Sequence, residues 1–399
     1  MPSFLKNFFE TNYFKFYLIF IFIFSVLFLS QKFLYPTDWT TSEWLINYQS
    51  GFVRRGLSGE LFFRLHEILE IPIRYLIFYF EIFVLIVFFA LVYKFFQNVH
   101  MNELLIFLFF CPIFLLYPVA ENEVLVRKEY LLLSLYIFYL ILILNNNNFL
   151  YLVILIFLPM MNLVWDGMNF YIYFFIFSFF FKKNLNNKQI IYFFFSFFPY
   201  LISLYFIIVA KSDPIGLEQM CISINEKCYG AMLFLDKHLP FNIEFMSLRF
   251  KIEYLVRYLL LISICFSPIL AFSYYDNLKL KIGNIFIKKS LLKLNLFLIF
   301  SIFMFMIIGF DWGRWINIGY SFSVFTLFFL IKSKEIKINK NNLSILFKNF
   351  SIKYNRIFYI IFFIYVFTWN MKAIMTDDIG SFPYYRIITK SIKIISLYI

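Results

Sequence analysis

The chain is short of the residues that build metal centres and phosphate-binding loops. It has three His, four Cys and 11 Gly among its 399 residues. No Cys or His spacing matches a zinc site, and we find no Gly-rich phosphate loop and no Ser-His-Asp pattern. We therefore assign no metal site and predict no cofactor.

Charged residues are also scarce. They make up 15% of the chain, against roughly 25% in ordinary soluble domains, whereas hydrophobic residues make up 62%. Mean hydropathy is +0.79. This balance excludes a soluble enzyme and predicts a multi-pass membrane protein. The apolar runs lack the alternation of barrel strands, so helices must satisfy the backbone hydrogen bonds.

Eleven apolar stretches have about the length needed to cross a ~30 Å hydrocarbon core. They are residues 16–34, 73–93, 104–120, 129–144, 149–165, 169–181, 189–210, 254–275, 291–310, 316–331 and 357–371. We predict an all-α transmembrane bundle that forms one integral-membrane domain over 1–399, with a retained first helix. The short stretch 169–181 could instead form a re-entrant hairpin with 149–165.

Loop charges predict the orientation. With a cytoplasmic N-terminus, the internal loops are rich in Lys, most clearly the basic loop 332–356. The net charge of +13 is then mainly a membrane-anchoring feature. Because no basic domain lies outside the bilayer, nucleic acid is not a predicted partner.

The Arg residues have a different distribution from the Lys residues. Of ten Arg, only Arg356 falls on the predicted cytoplasmic side. The planar guanidinium binds phosphate or carboxylate through two hydrogen bonds, so we expect the external Arg residues to bind an anion. The alternative is that they pair with nearby Asp and Glu and hold the loops together. For Arg54 and Arg55, we expect one to face the site and the other to pair with a loop carboxylate such as Glu60.

Acidic residues collect on the same predicted external face, in four segments at helix ends. The charged residues of these segments are Asp38, Glu43 and Glu60; Glu121, Glu123, Arg127, Lys128 and Glu129; Asp166; and Asp311 with Arg314. Several ionisable groups at one membrane level usually line a hydrated site. We therefore predict an external active site, the alternative being ordinary solvated loop ends.

Five Trp residues also fall at the predicted external interface: Trp39, Trp44, Trp165, Trp312 and Trp315. Indole rings settle readily among lipid headgroups, so most of them are expected to be interfacial anchors. Rings beside carboxylates and an Arg also suit a sugar site, where a ring stacks on the apolar sugar face.

The longest external loop, 211–253, contains Cys221 and Cys228. In an oxidising compartment these two Cys residues are suited to form a disulfide. Cys111 and Cys265 lie in apolar spans, where we expect small buried hydrophobes.

Three segments carry a family resemblance: GFVRRGLSGE at 51–60, VRKEYLLL at 126–133 and DWGRWI at 311–316. They resemble membrane proteins of bacterial surface-polysaccharide assembly. The first external loop, 35–72, has an acidic residue near its start and then an amphipathic stretch from Leu57 to Leu69. This order resembles the GT-C class of membrane glycosyltransferases, and the span pattern also resembles O-antigen polymerases.

The resemblance implies transfer of a sugar from a polyprenyl-phosphate-linked saccharide on the extracytoplasmic face of a bacterial inner membrane, among membrane lipid. Asp38 is then the first choice for the base, with Glu43 and Asp311 as substitutes. The remaining assignments are phosphate binding by Arg54, Arg55, Arg127, Lys128 and Arg314, and sugar binding by Trp39, Asp166 and Trp312.

Two other classes of function stay open. A transporter of lipid-linked saccharides would need ionisable residues deep in the spans, where Glu81 is almost alone. A non-catalytic assembly subunit would tolerate neutral substitutions at the charged positions.

Overall fold

A computed structural model describes most of the chain. The described residues are 12–35, 39–97, 99, 103–182, 185–210, 214–235, 237, 241, 244, 247–248, 250–275, 277–282, 285–290, 302, 309, 311–336, 354–375 and 382–398. The predicted base Asp38 and the predicted span 291–310, apart from Ile302 and Gly309, lie outside them.

The described chain is mainly helical. In order, the α-helices are α1 Asn12–Leu34, α2 Thr40–Leu45, α3 Leu57–Leu69, α4 Ile73–Phe96, α5 Glu103–Phe109, α6 Tyr117–Ala120, α7 Glu129–Leu144, α8 Phe149–Leu152, α9 Leu158–Val164, α10 Ile172–Phe179, α11 Asn187–Ser196, α12 Phe198–Val209, α13 Pro214–Ser223, α14 Ile252–Tyr275, α15 Trp312–Lys332, α16 Tyr354–Phe367 and α17 Pro383–Tyr398.

Other elements are short. Three 3₁₀ turns cover Asn122–Val124, Asp166–Phe170 and Met232–Phe234, and a π-helical turn covers Val153–Phe157. An antiparallel hairpin joins β1 Asn277–Ile282 to β2 Ile285–Ser290, with Asn277 opposite Ser290. This hairpin, in a predicted cytoplasmic loop, is the one element of the described chain that departs from the all-α expectation.

Five helical stretches are long and apolar enough to cross a membrane. They are Asn12–Leu34, Ile73–Phe96, Asn187–Val209, Ile252–Ala271 and Trp312–Lys332. The chain is thus a membrane protein, as its composition predicts. Two further apolar helical stretches, Glu129–Leu144 and Phe149–Val164, are shorter. The 16 residues of α7 extend only ~24 Å, less than the ~30 Å hydrocarbon core.

Proline explains two departures from the predicted spans. The stretch 104–120 is not one helix: α5 ends at Phe109, before Pro112. Proline has no N–H to donate four residues back, to the Leu108 carbonyl. The Tyr320 hydroxyl donates to that carbonyl instead, at 2.9 Å. Pro159 lies at the start of α9, directly after the π-helical turn Val153–Phe157, and π-turns of this kind accommodate interrupted hydrogen bonding.

The chain separates into two compact units. We call Ser25–Leu91 with Glu123–Asn242 the central unit, and Met1–Phe24 with Val92–Asn122 and Ile243–Ile399 the terminal unit. In the terminal unit, aromatic rings fill the interior around Phe96, whose ring lies 5.1 Å from Phe109 and 4.7 Å from Phe328.

In the central unit, α2 and α3 pack closely because Gly59 has no side chain. A Cβ at this position would overlap the carbonyl group of Ile46. The apolar cluster beneath these helices includes Trp44, Leu45, Ile46, Val53, Phe62, Phe63, Ile73 and Ile77. The bounds of α3 coincide with the predicted amphipathic stretch.

The long loop after α12 packs on the same cluster. Cys221 and Cys228 are joined by a disulfide. Glu226, within the disulfide loop, accepts two hydrogen bonds from the Arg74 guanidinium at 2.5 and 2.7 Å. The Ala231 N–H donates to Ser42 Oγ at 2.9 Å. These contacts fasten the loop to α2 and α4.

We predict that Gly59→Ala destabilises the protein. The new methyl group meets rigid backbone, and overpacking of this kind costs ~1–3 kcal/mol or more. The melting temperature of the purified protein should fall by several degrees. Leu61→Ala on the same helix is the control, because Leu61 is 51% exposed and exposed positions change stability little. Equal melting temperatures for the two variants would contradict the close packing of α2 and α3.

Candidate active site

Six charged residues of the central unit converge from four separate segments, and we call them the arginine cluster. They are Glu43, Arg54, Arg55, Arg127, Lys128 and Asp166. Glu43 belongs to the short helix α2, and Asp166 opens a 3₁₀ turn. Arg54 and Arg55 lie in the loop before α3, whereas Arg127 and Lys128 directly precede α7. Three of the four predicted acidic segments are therefore represented in one place.

Glu43 is the innermost carboxylate of the cluster. Its side chain is fully buried and accepts a 2.9 Å hydrogen bond from Arg127 Nε. Its other oxygen lies 3.8 Å from Arg55 Nη1. A buried carboxylate is stable as an ion only when it is paired and hydrogen-bonded. Arg127 supplies a hydrogen bond and a positive charge, and Arg55 adds a second positive charge.

Asp166 joins the two adjacent arginines. Arg55 Nε donates to Asp166 Oδ1 at 2.5 Å, and Arg54 Nη1 lies 3.7 Å from Asp166 Oδ2. Burial opposes ionisation of this carboxyl, but the charges of Arg55 and Arg54 outweigh burial and hold the pKa of Asp166 below its ordinary value. Asp166 is therefore an anion at neutral pH and a weak base.

Lys128 lies on the buried side of the cluster. Its Nζ donates to the Arg55 carbonyl at 2.8 Å and sits 5.7 Å from the centre of the Trp44 ring. The side chain has no exposed surface. Burial lowers the pKa of Lys128 to about 7, although Glu43 opposes the shift. Its charge is therefore sensitive to pH in the physiological range.

The backbone beside the cluster adopts an unusual conformation at two residues. Arg55 has φ of 66° and Val126 has φ of 50°. A β-branched residue in this region is an outlier that costs on the order of 1–3 kcal/mol. The Trp44 indole N–H donates to the Val126 carbonyl at 3.3 Å and helps to hold it. This turn directs Arg127 and Lys128 towards the cluster.

Exposure is graded across the cluster. The side chains of Arg54 and Arg55 are 31% and 27% exposed, and that of Asp166 is 14% exposed. Glu43 is fully buried and Arg127 is 6% exposed. The guanidiniums of Arg54 and Arg55 are thus accessible to an anion from solvent. The Glu43–Arg127 ion pair lies buried behind them.

One expectation for this region is wrong. The two adjacent arginines do not divide between the site and Glu60: both Arg54 and Arg55 contact Asp166, which is possible because they lie in a loop and not on one helix face. Glu60 instead binds Arg64, Gln49 and the backbone N–H of Tyr48.

The interfacial interpretation of the Trp residues is also wrong for three of them. The side chains of Trp44, Trp165 and Trp312 are fully buried against protein. A buried indole packs against other side chains and is not available to lipid headgroups. Trp39 is partly exposed and its ring lies 5.2 Å from that of Phe234.

The remaining predicted site residues belong to the terminal unit and form a cluster of their own there. Arg314 donates to Asp311 at 2.9 Å, and its guanidinium lies over the Trp315 ring at 4.6 Å. The buried Trp312 ring packs edge-on against Tyr258 at 5.2 Å. These contacts place Asp311 and Arg314 together, as their spacing in DWGRW predicts.

Some charged contacts were missed by the sequence argument. Arg386 forms an ion pair with Glu121, and Lys390 donates to the Ala120 carbonyl at 2.7 Å. The available signal was their four-residue spacing, which puts both cations on one face of a helix. No pattern indicated that Trp44 would lie against Lys128.

Among the described residues, no group of three or more His, Cys, Asp or Glu side chains is arranged to hold a metal ion. Comparison with known proteins yields no match: no family model, curated protein or solved structure matches the chain. The chemistry of the site must therefore be argued from its own residues.

We predict that Glu43→Gln strongly destabilises the protein. The substitution keeps the shape but removes the negative charge that faces Arg127 and Arg55, and loss of one partner from a buried ion pair costs ~3–5 kcal/mol. Glu67→Gln is the matched control, since Glu67 and its partner Arg64 are 48% and 57% exposed and such pairs contribute roughly 1 kcal/mol or less. Thermal unfolding of both variants should separate them clearly, whereas similar losses would refute the central role of Glu43.

The lowered pKa of Lys128 predicts a specific pH dependence of the protein's stability. Its pKa is about 7 in the folded protein and ~10.4 when unfolded. Between these values the unfolded chain binds the extra proton, so stability rises with pH in this window. From about pH 7 to about pH 9 the wild type should gain on the order of 2 kcal/mol relative to Lys128→Met. A constant difference between their melting temperatures across this range would show that Lys128 titrates normally.

Proposed function

We propose that this membrane protein is a GT-C-like glycosyltransferase. It transfers a sugar or oligosaccharide from a polyprenyl-phosphate or polyprenyl-diphosphate donor, on the extracytoplasmic face, during assembly of a cell-surface polysaccharide. The observation that carries the proposal is the accessible guanidinium pair of Arg54 and Arg55, which shares Asp166 and is supported from beneath by buried charges.

The arginine cluster suits a phosphate group. In glycosyl transfer, the acceptor hydroxyl attacks the anomeric carbon while the bond to phosphate breaks, so negative charge develops on the departing phosphate. Guanidinium groups stabilise that charge through paired hydrogen bonds. Arg54 and Arg55 offer such donors at an accessible edge, and the second partner of Arg55, Glu43, keeps its guanidinium oriented.

The carboxylates divide into different roles. Glu43 has no exposed surface and binds Arg127, which suits it to positioning cations and not to contacting an acceptor. Asp166 is held ionised by its two arginines and is a weak base. In this proposal, Asp38 remains the general base that takes the acceptor proton.

Amphipathic α3 supports a location at the membrane surface. Leu61, Leu65, Ile68 and Leu69 are exposed along one side of the helix, and Phe62 and Phe63 pack inward. A helix of this kind suits the bilayer interface, where a lipid-linked donor presents its phosphate.

The proposal is tested with variants in a strain that lacks the gene. We expect Asp38→Asn, Arg54→Gln and Arg55→Gln to abolish the mature surface glycan at normal protein level. With purified protein and a lipid-linked saccharide, release of polyprenyl phosphate should fall roughly 10²-fold or more. Arg64→Gln is the matched control, because Arg64 is an exposed residue of α3, and it should retain activity.

Other outcomes would reject the proposal. Full glycan with all three variants would indicate an assembly subunit. Movement of lipid-linked saccharide across vesicles without bond cleavage would indicate a transporter. The glycan of the deletion strain separates the two enzymatic alternatives, since single-repeat products indicate a polymerase and truncated repeats indicate a one-sugar transferase.

A further inference from the structure

The last described helix, α17, is too short and too charged to cross a membrane. It has 16 residues, Pro383–Tyr398, so it extends only ~24 Å. Arg386, Lys390 and Lys393 lie in its central part, where a spanning helix would bury them in hydrocarbon. It must therefore lie outside the hydrocarbon core or along its boundary.

One side of α17 is fixed to the terminal unit. Ile387 and Ile394 are buried. Arg386 pairs with Glu121, and Lys390 donates to the Ala120 carbonyl at 2.7 Å and to Asn122 Oδ1 at 3.2 Å. Two of the three cations are thus used to hold the helix in place.

These contacts place α17 near the end of a membrane-spanning helix. Glu121, the partner of Arg386, donates its backbone N–H to the Tyr117 carbonyl at 2.8 Å. The Tyr117 hydroxyl in turn lies against Gly313, where a Cβ would overlap it. Gly313 is the second residue of α15, which is long and apolar enough to span. α17 therefore lies beside the first turn of a helix that is long and apolar enough to span a membrane.

The opposite side of α17 is apolar and uncovered. Tyr385, Ile388, Ile392 and Ile395 are 58%, 56%, 60% and 53% exposed. Their spacing of three, four and three residues puts them on one face of the helix. Lys393, which is also exposed, lies to the side of this stripe.

We infer that α17 lies flat in the bilayer interface, with this stripe in contact with lipid acyl chains. The stripe is exposed beside the end of a helix that is long and apolar enough to span, so lipid can cover it without any further partner. Lys393 is placed to face headgroup phosphates, as basic residues do on interfacial helices. A stripe of four side chains is also much smaller than the ~800 Å² per partner of a stable protein interface.

Site-specific lipid quenching tests this inference. The variants are Ile388→Cys and Ile392→Cys on the stripe, with Lys393→Cys as the matched control on the same helix. The native thiols do not interfere, because Cys111 and Cys265 are buried and Cys221–Cys228 is a disulfide. Each full-length variant is labelled with an environment-sensitive fluorophore and reconstituted into phosphatidylcholine vesicles with or without bromine on the acyl chains.

We expect brominated lipid to quench the labels at 388 and 392 at least about twofold more than the label at 393. Equal quenching at the three positions would overturn the inference. So would weak quenching at 392 together with oxidative cross-linking of unlabelled Ile392→Cys between chains, because the stripe would then contact a second copy.

Discussion

The hydrogen-bonded ion pair between Glu43 and Arg127 is the constraint around which the central unit is organised. It is buried and joins residues 84 positions apart. In so apolar a chain, an interior charge is tolerated only beside its opposite, so α2 and the start of α7 must meet at this point. Arg55 approaches the same carboxylate and brings the loop before α3 with it. Arg55 also contacts Asp166, which lies at the outer edge of the cluster.

The sequence predicts local structure well where one strong pattern acts alone. The bounds predicted for α3 and α7, 57–69 and 129–144, match the structure. Where a proline interrupts an apolar run, composition overestimates continuity: 104–120 satisfies a hydropathy criterion, yet Pro112 breaks its hydrogen bonding. Apolar character reports the solvent that a segment prefers but says little about its length as a helix.

The sequence predicted which kinds of residue form the site, but it did not predict which of them contact each other. The scarcity of Arg on the predicted cytoplasmic side and its excess on the predicted external side singled out Arg54, Arg55 and Arg127 as functional candidates. Their partners depend on contacts over 84 and 111 residues, which a single sequence does not encode in any periodicity. Lys128 looked like another phosphate ligand. Lys128 is instead buried beneath the arginines and lies against Trp44. Its charge therefore depends on the folded structure around it, which the sequence pattern does not show.

Arg54 connects the arginine cluster to the segment that follows the Cys221–Cys228 disulfide. Besides Asp166, it donates to the backbone carbonyls of Phe234 and Lys237 at 3.0 and 3.3 Å. These carbonyls belong to the segment that follows Cys228 and packs on α2. The orientation of the Arg54 guanidinium therefore depends on where this segment lies, and the Cys221–Cys228 disulfide limits the positions that the segment can adopt. Reduction of one covalent bond far away in the sequence would thus change the outer edge of the arginine cluster.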